Sequence, residues 1–474
     1  MSMPTDLRDL FDLQFQASRR QIDVPLVVRR ERLVRLRKLL GEHAPELSVA
    51  VEADFGVRSA AVTEMAELSV LRALLSDALR QLPRWTRRRR ISTPWYLHPA
   101  QAWVQPQPLG VVGVMAPWNY PLLLSLAPVV AAFAAGNRVM LKPSERAPHT
   151  AAQLARLAGR FFSPEEFGVA TGGVAVATAF AGLPFDHLFF TGSSQTGRRV
   201  AQAAAVHLTP TTLELGGKSP CIIDAGCDLH KAAASIAHGK LLNAGQTCVA
   251  PDYVLVPRGS EAAFADAFRA AALRLYPRFA GNPDYASVVD AHHHARLQAL
   301  LQNAAQLGAQ VEVIEPADAD GSNARLQRQM APVLVYGVTD GMRLMQEEIF
   351  GPVLPVLSYE RLDDAIDYVN ARPRPLALYW FGDAAGMRDE VLRRTVSGGV
   401  TVNGTLLHAA HPGLPFGGVG DSGWGAAHGE AGFRRMSHDK AVLAPARGNP
   451  AAQWLRPPYG ARFQRISGLL RRWL

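Results

Sequence analysis

Two residues near the middle of the chain have side chains that could do covalent chemistry at a carbonyl carbon. Cys248 lies in NAGQTCVAP at 243–251, and Glu214 lies in TLELGGKSP, shortly before Gly216 and Gly217. A cysteine is a nucleophile and a carboxylate is a general base, and glycine leaves room for a substrate to approach. We therefore expect a nucleophile and base pair at one site. The alternative for Cys248 is a small buried side chain, the usual role of a free cysteine.

A third candidate, Asn119, lies in APWNYP at 116–121, between the end of a predicted strand and Pro121. Its amide could donate a hydrogen bond to an oxygen that becomes negative during a reaction. The alternative is an asparagine that caps a turn, which is common next to proline. In both cases Asn119 lies at the carboxyl end of a strand, where open α/β sheets bind their ligands.

Two further segments suit a dinucleotide. LKPSE at 141–145 places Lys142 and Glu145 just after a predicted strand, where they could bond ribose hydroxyls. FFTGSSQTG at 189–197 places Gly192 and Ser193 before a predicted helix, whose free amide groups favour a phosphate. The segment is not GxGxxG, so the ordinary nucleotide fingerprint is absent.

The elements that must position these residues follow an alternating pattern. The segments 27–43 and 62–82 repeat apolar residues at helical spacing, and 94–110 reads as a hairpin or extended arm. From GVVGVMAP to HLFFTGS, short apolar runs then alternate with helical ones, and a second such series runs from Ser219 to about residue 404. This pattern predicts an α/β protein with a dinucleotide-binding parallel sheet and a second α/β domain.

Bulk composition restricts the class of protein. A chain of 474 residues exceeds one hydrophobic core, and its 48% apolar and 19% charged residues are typical of a packed domain protein. Three cysteines without ligand spacing argue against a disulfide framework or a zinc site. The amino terminus does not read as a signal peptide and no apolar run is long enough to span a membrane, so a cytoplasmic location is expected.

Basic residues raise the question of an anionic partner. The net charge is +9, and RWTRRRR at 84–90 resembles a nucleic-acid patch when taken alone. No known nucleic-acid module surrounds the run, so we predict a solvated basic edge and no nucleic-acid partner. The terminal segment GARFQRISGLLRRWL has apolar residues at helical spacing among arginines. Membrane contact and docking on the protein itself both remain open for this tail.

Two other features are interpreted as structural. His292, His293 and His294 are adjacent and cannot share one helix face, so we expect a surface helix start far from the other motifs, and no metal site. Cys221 lies in the apolar run PCIIDA, which predicts a buried strand residue.

Seven segments together resemble the aldehyde dehydrogenase superfamily in order and spacing. They are PWNYP, LKPSE, FTGS, ELGGKSP, GQTC, EEIFGPVLPV at 347–356 and PFGGVGDSG at 415–423. The resemblance covers residues 10–440, and PWNYP with the short amino terminus is similar to the class 3 and fatty aldehyde branch. LPFDHLFFTGS, GKLLNAGQTCVAPDYVLVPR and HGEAGF resemble bacterial coniferyl aldehyde dehydrogenases.

The resemblance implies an aldehyde dehydrogenase-like fold with a Rossmann-type NAD-binding domain, a catalytic domain and a small oligomerisation arm. The implied division is 1–85 and 107–216 for NAD binding, 217–404 for catalysis, 86–106 and 405–440 for bridging between subunits, and 441–474 as a tail. It also implies at least a homodimer.

The resemblance further implies a role for each matching residue. Cys248 would be the nucleophile, Glu214 the base, and Asn119 with the Cys248 amide the oxyanion hole. The implied cofactor-binding residues are Trp118, Lys142, Glu145, Gly192, Ser193, Glu348 and Phe350. Lys142 and Glu145 would hold the adenosine ribose, Ser193 the pyrophosphate and Glu348 the nicotinamide ribose, with Phe350 near the ring.

The implied reaction is NAD-dependent oxidation of a small-molecule aldehyde to a carboxylic acid through a thioester on Cys248, without a metal. An aromatic, coniferyl-type aldehyde is the expected substrate, and a long-chain fatty aldehyde is the alternative. Outside enzymes, the alternative is a non-catalytic homologue, which predicts loss of Cys248, Glu214 or Asn119. Because Glu145 should repel a 2′-phosphate, NAD is expected over NADP, although related proteins with this glutamate accept both.

Overall fold

The structure, a computed structural model, describes residues 5–315, 328–446, 456–457 and 459–473. Its strands are β1 Arg89–Ile91, β2 Gln101–Pro108, β3 Val111–Met115, β4 Arg138–Lys142, β5 Phe167–Val169, β6 His187–Gly192, β7 Thr211–Leu215, β8 Pro220–Ile223, β9 Tyr253–Pro257, β10 Gln310–Val313, β11 Val333–Tyr336, β12 Val353–Tyr359, β13 Ala377–Phe381, β14 Gly399–Val402, β15 Gly423–Trp424 and β16 Ser437–Ala444.

The α-helices are α1 Thr5–Arg20, α2 Leu26–Glu42, α3 Ala44–Phe55, α4 Ala60–Thr63, α5 Ser69–Trp85, α6 Leu123–Ala135, α7 Pro148–Phe161, α8 Val174–Ala181, α9 Ser194–Ala205, α10 Leu229–Leu241, α11 Glu261–Leu275, α12 Ala291–Gln306, α13 Arg343–Gln346, α14 Leu362–Asn370, α15 Ala385–Arg394, α16 Leu407–Ala410 and α17 Gly429–Arg435, followed by a C-terminal helix, Ala461–Trp473. A π-helical turn, Glu64–Leu68, joins α4 to α5, and 3-10 turns lie at Trp95–Leu97, Leu242–Gly245 and Gly420–Ser422.

The first sheet has six strands in the order β15-β7-β6-β3-β4-β5. All neighbours are parallel except β15 and β7. Strands β3, β4 and β7 are buried along their whole length, as expected for parallel strands covered on both faces. The strand order reverses between β3 and β6, so the loops after these two strands meet at the position where such sheets bind ligands.

The second sheet has seven strands in the order β10-β11-β12-β9-β8-β13-β14, antiparallel only between β10 and β11. The chain passes from the first sheet to the second through Gly216–Ser219, between β7 and β8. The two sheets confirm the predicted α/β class, in which two alternating series each form a mostly parallel sheet. Cys221 is buried in β8, as predicted.

Four hydrophobic clusters cover the two faces of each sheet. One face of the six-stranded sheet packs against helices that include α2, α5 and α6, and the other packs against α1 and α9. The seven-stranded sheet packs on α10 and α11 on one face and on α12, α14 and α15 on the other. This packing leaves the ends of the strands, and therefore the loops that carry the motifs, to form the ligand site.

A third sheet is small and antiparallel, with the order β1-β2-β16. Its central strand β2 lies within the segment predicted as a hairpin or arm, and β16 pairs with β2 over eight residues, Ser437–Ala444. This strand crosses the boundary predicted at residue 440, and the domain division as a whole stays a prediction. Of the predicted tail, residues 447–455, 458 and 474 lie outside the described residues.

No helix within the described ranges is long and apolar enough to cross a membrane. The segment 62–82, which the sequence predicts as one helix, is interrupted by the π-helical turn Glu64–Leu68. Such turns are rare and often lie at functional positions. Here the turn contains Glu67, a fully buried carboxylate whose contacts explain the interruption.

Candidate active site

A cavity of about 870 Å³ lies between the carboxyl ends of the six-stranded sheet and the second sheet. Its walls bring together eight of the ten residues that the sequence predicts for the site: Trp118, Asn119, Gly192, Ser193, Glu214, Cys248, Glu348 and Phe350. Lys142 and Glu145 are not among the lining residues. They lie at and just after the end of β4, the strand next to β3.

Cys248 follows an unusual loop between α10 and β9. Asn243, Ala244 and Gly245 have φ angles of 52°, 51° and 76°, so three consecutive residues are left-handed. Only glycine adopts this conformation without steric cost, and a Cβ on Gly245 would collide with the carbonyl oxygen of Gly351. Strain of this kind is held in place by surrounding contacts and is frequent at functional sites. The loop directs Cys248 to the cavity wall.

The thiol of Cys248 is held in its neutral form. Burial raises the pKa of Cys248 far above its ordinary value, and the nearby Glu348 and Glu214 raise it further. The amide groups of Cys248 and Val249 act in the opposite direction, because they can donate to a thiolate. The side chain is therefore a protonated nucleophile at neutral pH, and its proton must leave as a bond to carbon forms.

Asn119 faces the cysteine loop from the first sheet. Its Nδ2 donates to the carbonyl oxygen of Gln246 at 3.1 Å, two residues before Cys248. A side-chain amide has two N–H groups, so one remains for a ligand in the cavity. The neighbouring Tyr120 hydroxyl bonds the Thr247 hydroxyl at 2.7 Å. Two consecutive side chains thus fix this loop against the residues that precede the thiol.

Glu214 is buried in β7, and its surroundings favour the protonated form of its carboxyl. Burial raises its pKa to about 8, and the Thr191 hydroxyl, which donates to Oε2 at 3.4 Å, lowers it only in part. Its other oxygen, Oε1, has no hydrogen-bond partner among the described residues. A buried carboxyl oxygen without a partner is costly, so the site suits a water molecule or substrate at this position.

Glu348 lies against the loop that joins the two sheets. A Cβ on Gly216 would overlap its carboxylate, so glycine is required there for the carboxylate to approach. Burial, followed by the charge of Asp252, raises the pKa of Glu348 to about 8, whereas Arg296 and the Gly217 amide lower it. Its Oε1 has no partner within the described part of the chain. This acceptor fits a ribose hydroxyl, which would satisfy it.

Aromatic rings form one wall of the cavity. Trp118 packs edge-on against Phe350, with ring centroids 5.4 Å apart, and against His293 at 5.0 Å. Phe350 adopts a left-handed φ of 54°, which directs the segment EEIFG into the cavity. Flat apolar surfaces of this kind suit a nicotinamide ring or a planar substrate.

The position of His293 corrects one sequence-based expectation. The histidines do start a helix, because Asp290 accepts a hydrogen bond from the His293 amide and caps α12. His293 is, however, half-buried in the cavity wall and not on a remote surface. The expectation was wrong because residues far apart in the sequence can be close in the folded chain. Helix α12 packs on the second sheet, and its amino end contacts Trp118.

Ser193 and Lys142 have the local geometry expected of residues near a dinucleotide. Ser193 is the N-cap of α9 and its Oγ accepts from the Thr196 amide at 3.3 Å, and the first residues of this helix line the cavity. The Nζ of Lys142 donates to the Pro143 carbonyl at 2.7 Å and to Glu145 Oε2 at 3.4 Å. A phosphate at α9 and a ribose beside Glu145 are compatible with these positions.

Several charged residues of the cavity wall were not predicted. They are Arg198, Lys218, Arg296, Glu347, Arg372 and Arg374. Asp421, which also lines the cavity, lies in PFGGVGDSG, one of the seven segments that carry the family resemblance. The basic residues are far apart in the chain, except for Arg372 and Arg374, so the fold is needed to bring them together. Within the part of the chain that the structure describes, no three His, Cys, Asp or Glu side chains are grouped so that they could hold a metal ion.

Comparison with known proteins agrees with this geometry. Residues 12–442 match the model of the aldehyde dehydrogenase family. A relative described as probable coniferyl aldehyde dehydrogenase from Caulobacter vibrioides is 48% identical over 89% of this chain and 88% of its own. Coniferyl aldehyde dehydrogenase from Pseudomonas sp. strain HR199 is 44% identical over 94% and 91%.

Solved structures give the same result for the fold. The substrate-bound state of Staphylococcus aureus AldH superposes with a TM-score of 0.90 at 34% identity and covers 99% of this chain and 100% of its own. Two indole-3-acetaldehyde dehydrogenases with similar folds were solved in complex with NAD. The superposition over nearly the whole chain means that the fold, with both sheets, is shared.

Proposed function

The chain belongs to the aldehyde dehydrogenase family, and we propose that it oxidises an aromatic aldehyde to its carboxylic acid with Cys248 as nucleophile and Glu214 as base. NAD is the cofactor. The observation that carries the proposal is that one cavity is lined by the thiol, a buried carboxyl with an unpaired oxygen, the Asn119 amide and Glu348. A non-catalytic homologue would be expected to lack one of these groups, and all are present.

The first step is attack of the Cys248 sulfur on the aldehyde carbon. The thiol proton passes to solvent as the bond forms, because the raised pKa of the thiol keeps it protonated until attack begins. The aldehyde oxygen becomes negative and accepts hydrogen bonds from the Asn119 amide and the Cys248 backbone amide. Donors fixed in advance around such an oxygen typically contribute roughly 3–4 kcal/mol each to the transition state.

NAD, when bound in this cavity, would supply the acceptor for the hydride that the Cys248 adduct loses. Glu348 is positioned to hold the ribose beside the nicotinamide, and Trp118 and Phe350 form the apolar wall next to the ring. The amino end of α9, with Ser193, is positioned for the pyrophosphate. Lys142 and Glu145 would hold the adenosine ribose at the end of β4.

The last step is hydrolysis of the thioester by water. Glu214 acts as the general base for this water, and its unpaired Oε1 is the atom that would accept the proton. Its pKa of about 8 lies near neutral pH, which suits a residue that both takes and releases a proton in each cycle. A glutamate at this position favours hydrolysis over transfer of the acyl group to another acceptor.

The substrate class is inferred from the relatives and the cavity. Two relatives at 48% and 44% identity are described as coniferyl aldehyde dehydrogenases. A planar conjugated aldehyde fits a site whose wall contains Trp118 and Phe350. The second candidate is a long-chain aldehyde, which the apolar segment PLLLSLAPVV after Asn119 could accommodate. Glu145 should repel a 2′-phosphate, so we expect a higher kcat/KM with NAD than with NADP.

One assay tests the reaction and the substrate class together. NADH formation at 340 nm is followed with coniferaldehyde and with a long-chain alkanal, and Cys248→Ala is the control. We expect turnover by the wild type, none by Cys248→Ala, and a higher kcat/KM for coniferaldehyde. A preference for the alkanal would transfer the proposal to the second candidate. Absence of NADH across a broad aldehyde panel would overturn it.

A cytoplasmic location and a homodimer complete the proposal. All three cysteines are free thiols, which suits a reducing compartment. The three-stranded arm has exposed apolar side chains that a second subunit would cover.

A further inference from the structure

A fully buried ion pair lies outside the cavity, behind residues 116–122, the loop between β3 and α6 that carries Asn119. This segment is called the oxyanion loop below. The Nη2 of Arg58 donates to Oε1 of Glu67 at 2.7 Å, and both side chains have no exposed surface. Arg58 is in the segment between α3 and α4, and Glu67 is in the π-helical turn. A buried ion pair seldom increases stability over apolar residues of the same size, so its presence calls for another explanation.

Arg58 reaches the loop that carries Asn119. Its Nη1 donates to the Asn119 carbonyl oxygen at 2.5 Å and to Asn243 Oδ1 at 3.2 Å. The guanidinium is also held between two rings, 4.7 Å from the centre of Phe55 and 4.9 Å from that of Tyr120. One side chain therefore contacts both the oxyanion loop and the loop that leads to Cys248.

Glu67 fixes the same loop from its other end. Its Oε2 accepts hydrogen bonds from the amides of Leu122 and Leu123, at 2.8 and 3.0 Å, where α6 begins. A carboxylate at this end of a helix is favoured by the helix dipole. With Arg58 bound at Asn119 and Glu67 bound at the start of α6, the short segment between them has little freedom to move.

Asn243 completes the connection to the nucleophile. Its Nδ2 donates to the Asn119 carbonyl at 3.1 Å and to the Gln246 carbonyl at 3.3 Å. The same Gln246 carbonyl accepts from the Asn119 side chain. Arg58 thus bonds the backbone of Asn119 directly and the side chain of Asn243, which donates to the same Gln246 carbonyl as the Asn119 amide. It also supports the left-handed turn that precedes Cys248.

We propose that Arg58, held by Glu67, is a positioning residue that sets the Asn119 amide relative to the Cys248 sulfur. It contacts neither substrate nor cofactor and acts through Asn119. A guanidinium is suited to this because its planar fork donates in several fixed directions at once, which neither lysine nor an apolar residue can do. The inference rests on the proposed roles of Asn119 and Cys248.

A purely structural role for Arg58 makes a different prediction. If the ion pair only stabilises the fold, its loss should lower the rate by the same factor whether or not the Asn119 amide is present. If Arg58 acts through that amide, its loss should have little effect once the amide is gone. A double-mutant cycle separates the two roles because it measures the coupling directly.

The experiment compares Arg58→Lys and the double variant Arg58→Met/Glu67→Gln, each in the wild-type and Asn119→Ala backgrounds. The readout is the single-turnover rate of NADH formation at saturating NAD. Removing one fixed oxyanion donor lowers rates about 10²- to 10³-fold, so partial misplacement should lower them about 10-fold or more. In the Asn119→Ala background we expect a further change below about twofold. NAD affinity should not change.

Arg32→Lys is the matched control. Arg32 is also buried and bonds Glu166 at 3.1 Å, but it lies behind the first sheet, away from the cavity. We expect Arg32→Lys to lower the thermal stability and leave the single-turnover rate unchanged.

An equal loss of single-turnover rate in both backgrounds, or no loss in either, would overturn the inference. The proposed function would still stand if the wild type is active and Cys248→Ala is inactive. If the double variant does not fold, Arg58→Lys alone decides, because it keeps a positive charge beside Glu67.

Discussion

At the scale of single residues, the pKa of Glu214 determines how the proposed enzyme responds to pH. Burial raises this pKa to about 8, so the carboxyl is mostly protonated at pH 7. Only the deprotonated form can accept a proton from water. The rate of thioester hydrolysis should therefore rise as the pH increases through about 8 and level off above it.

Glu214→Gln tests this assignment. The amide cannot act as a base, so we expect steady-state turnover to fall about 100-fold or more and to lose its rise near pH 8, while the first equivalent of NADH still forms. Glu348→Gln is the control, because its carboxyl has a similar pKa of about 8 but is assigned to the cofactor. A pH rise that disappears in Glu348→Gln and persists in Glu214→Gln would contradict the assignment.

The site residues that could be predicted from the sequence are those that lie within short continuous motifs. Cys248, Glu214 and Asn119 each lie in a short string whose neighbours have turn or glycine chemistry, so their types and surroundings indicate a site. Arg58 and Glu67 lie in or beside helical segments, where a charged residue normally faces solvent. Their burial depends on contacts with a loop more than fifty residues away, which no local pattern reports.

At the scale of elements, the link between β7 and β8 joins the two sheets and lies against Glu348, a proposed cofactor-binding residue. Gly216 lies in this link, and its lack of a side chain lets the Glu348 carboxylate approach the backbone. If Glu348 holds the nicotinamide ribose as proposed, the link forms part of that site although Gly216 contributes no side chain.

Gly216→Ala should displace Glu348 and weaken NAD binding. Loss of a charge-assisted hydrogen bond costs roughly 1.5–3 kcal/mol, so KM for NAD should rise about 10-fold or more, with a smaller change in kcat at saturating NAD. Gly226→Ala is the matched control, because its Cβ would meet only Asp224 Oδ2 at an ordinary 3.7 Å. An unchanged KM for NAD in Gly216→Ala would show that Glu348 does not hold the cofactor.

The alternation of strands and helices was predictable and the irregular turns were not. Parallel strands such as β3 and β4 are buried on both faces, so they appear in the sequence as continuous apolar runs. The amino acids of the π-helical turn Glu64–Leu68 and of the left-handed segment before Cys248 carry no clear signal of these conformations. Hydrogen bonds to distant parts of the chain hold both segments, and such contacts override the local conformational preference of the residues.

At the scale of the whole molecule, the catalytic groups come from both sheets and meet only in the cleft between them. Asn119 and Glu214 belong to the first sheet, whereas Cys248 and Glu348 belong to the second. A ligand that touches both sides should therefore stabilise the pair of sheets as one unit. The three-stranded arm takes no part in this cleft and needs a different explanation.

The arm has the surface of a subunit interface. Ile91, Trp95 and Leu443 are 41%, 54% and 48% exposed, although side chains of this type are usually covered. Ile91 and Leu443 flank Ala102 in neighbouring strands of the small sheet, and Trp95 lies in the turn that follows β1, so the arm exposes apolar surface to water. A second copy of the chain is the occupant that we propose for this face.

We therefore expect a dimer in solution, with twice the chain mass of 51.3 kDa at micromolar concentration. The double variant Trp95→Asp/Leu443→Asp places two charges in the apolar face and should shift the protein to the monomer, measured by light scattering after size exclusion. Leu208→Asp is the control, because Leu208 is 89% exposed in the turn after α9, away from the arm. It should leave the mass unchanged. A wild type that is monomeric, or a double variant that stays dimeric, would mean that the arm does not join two subunits.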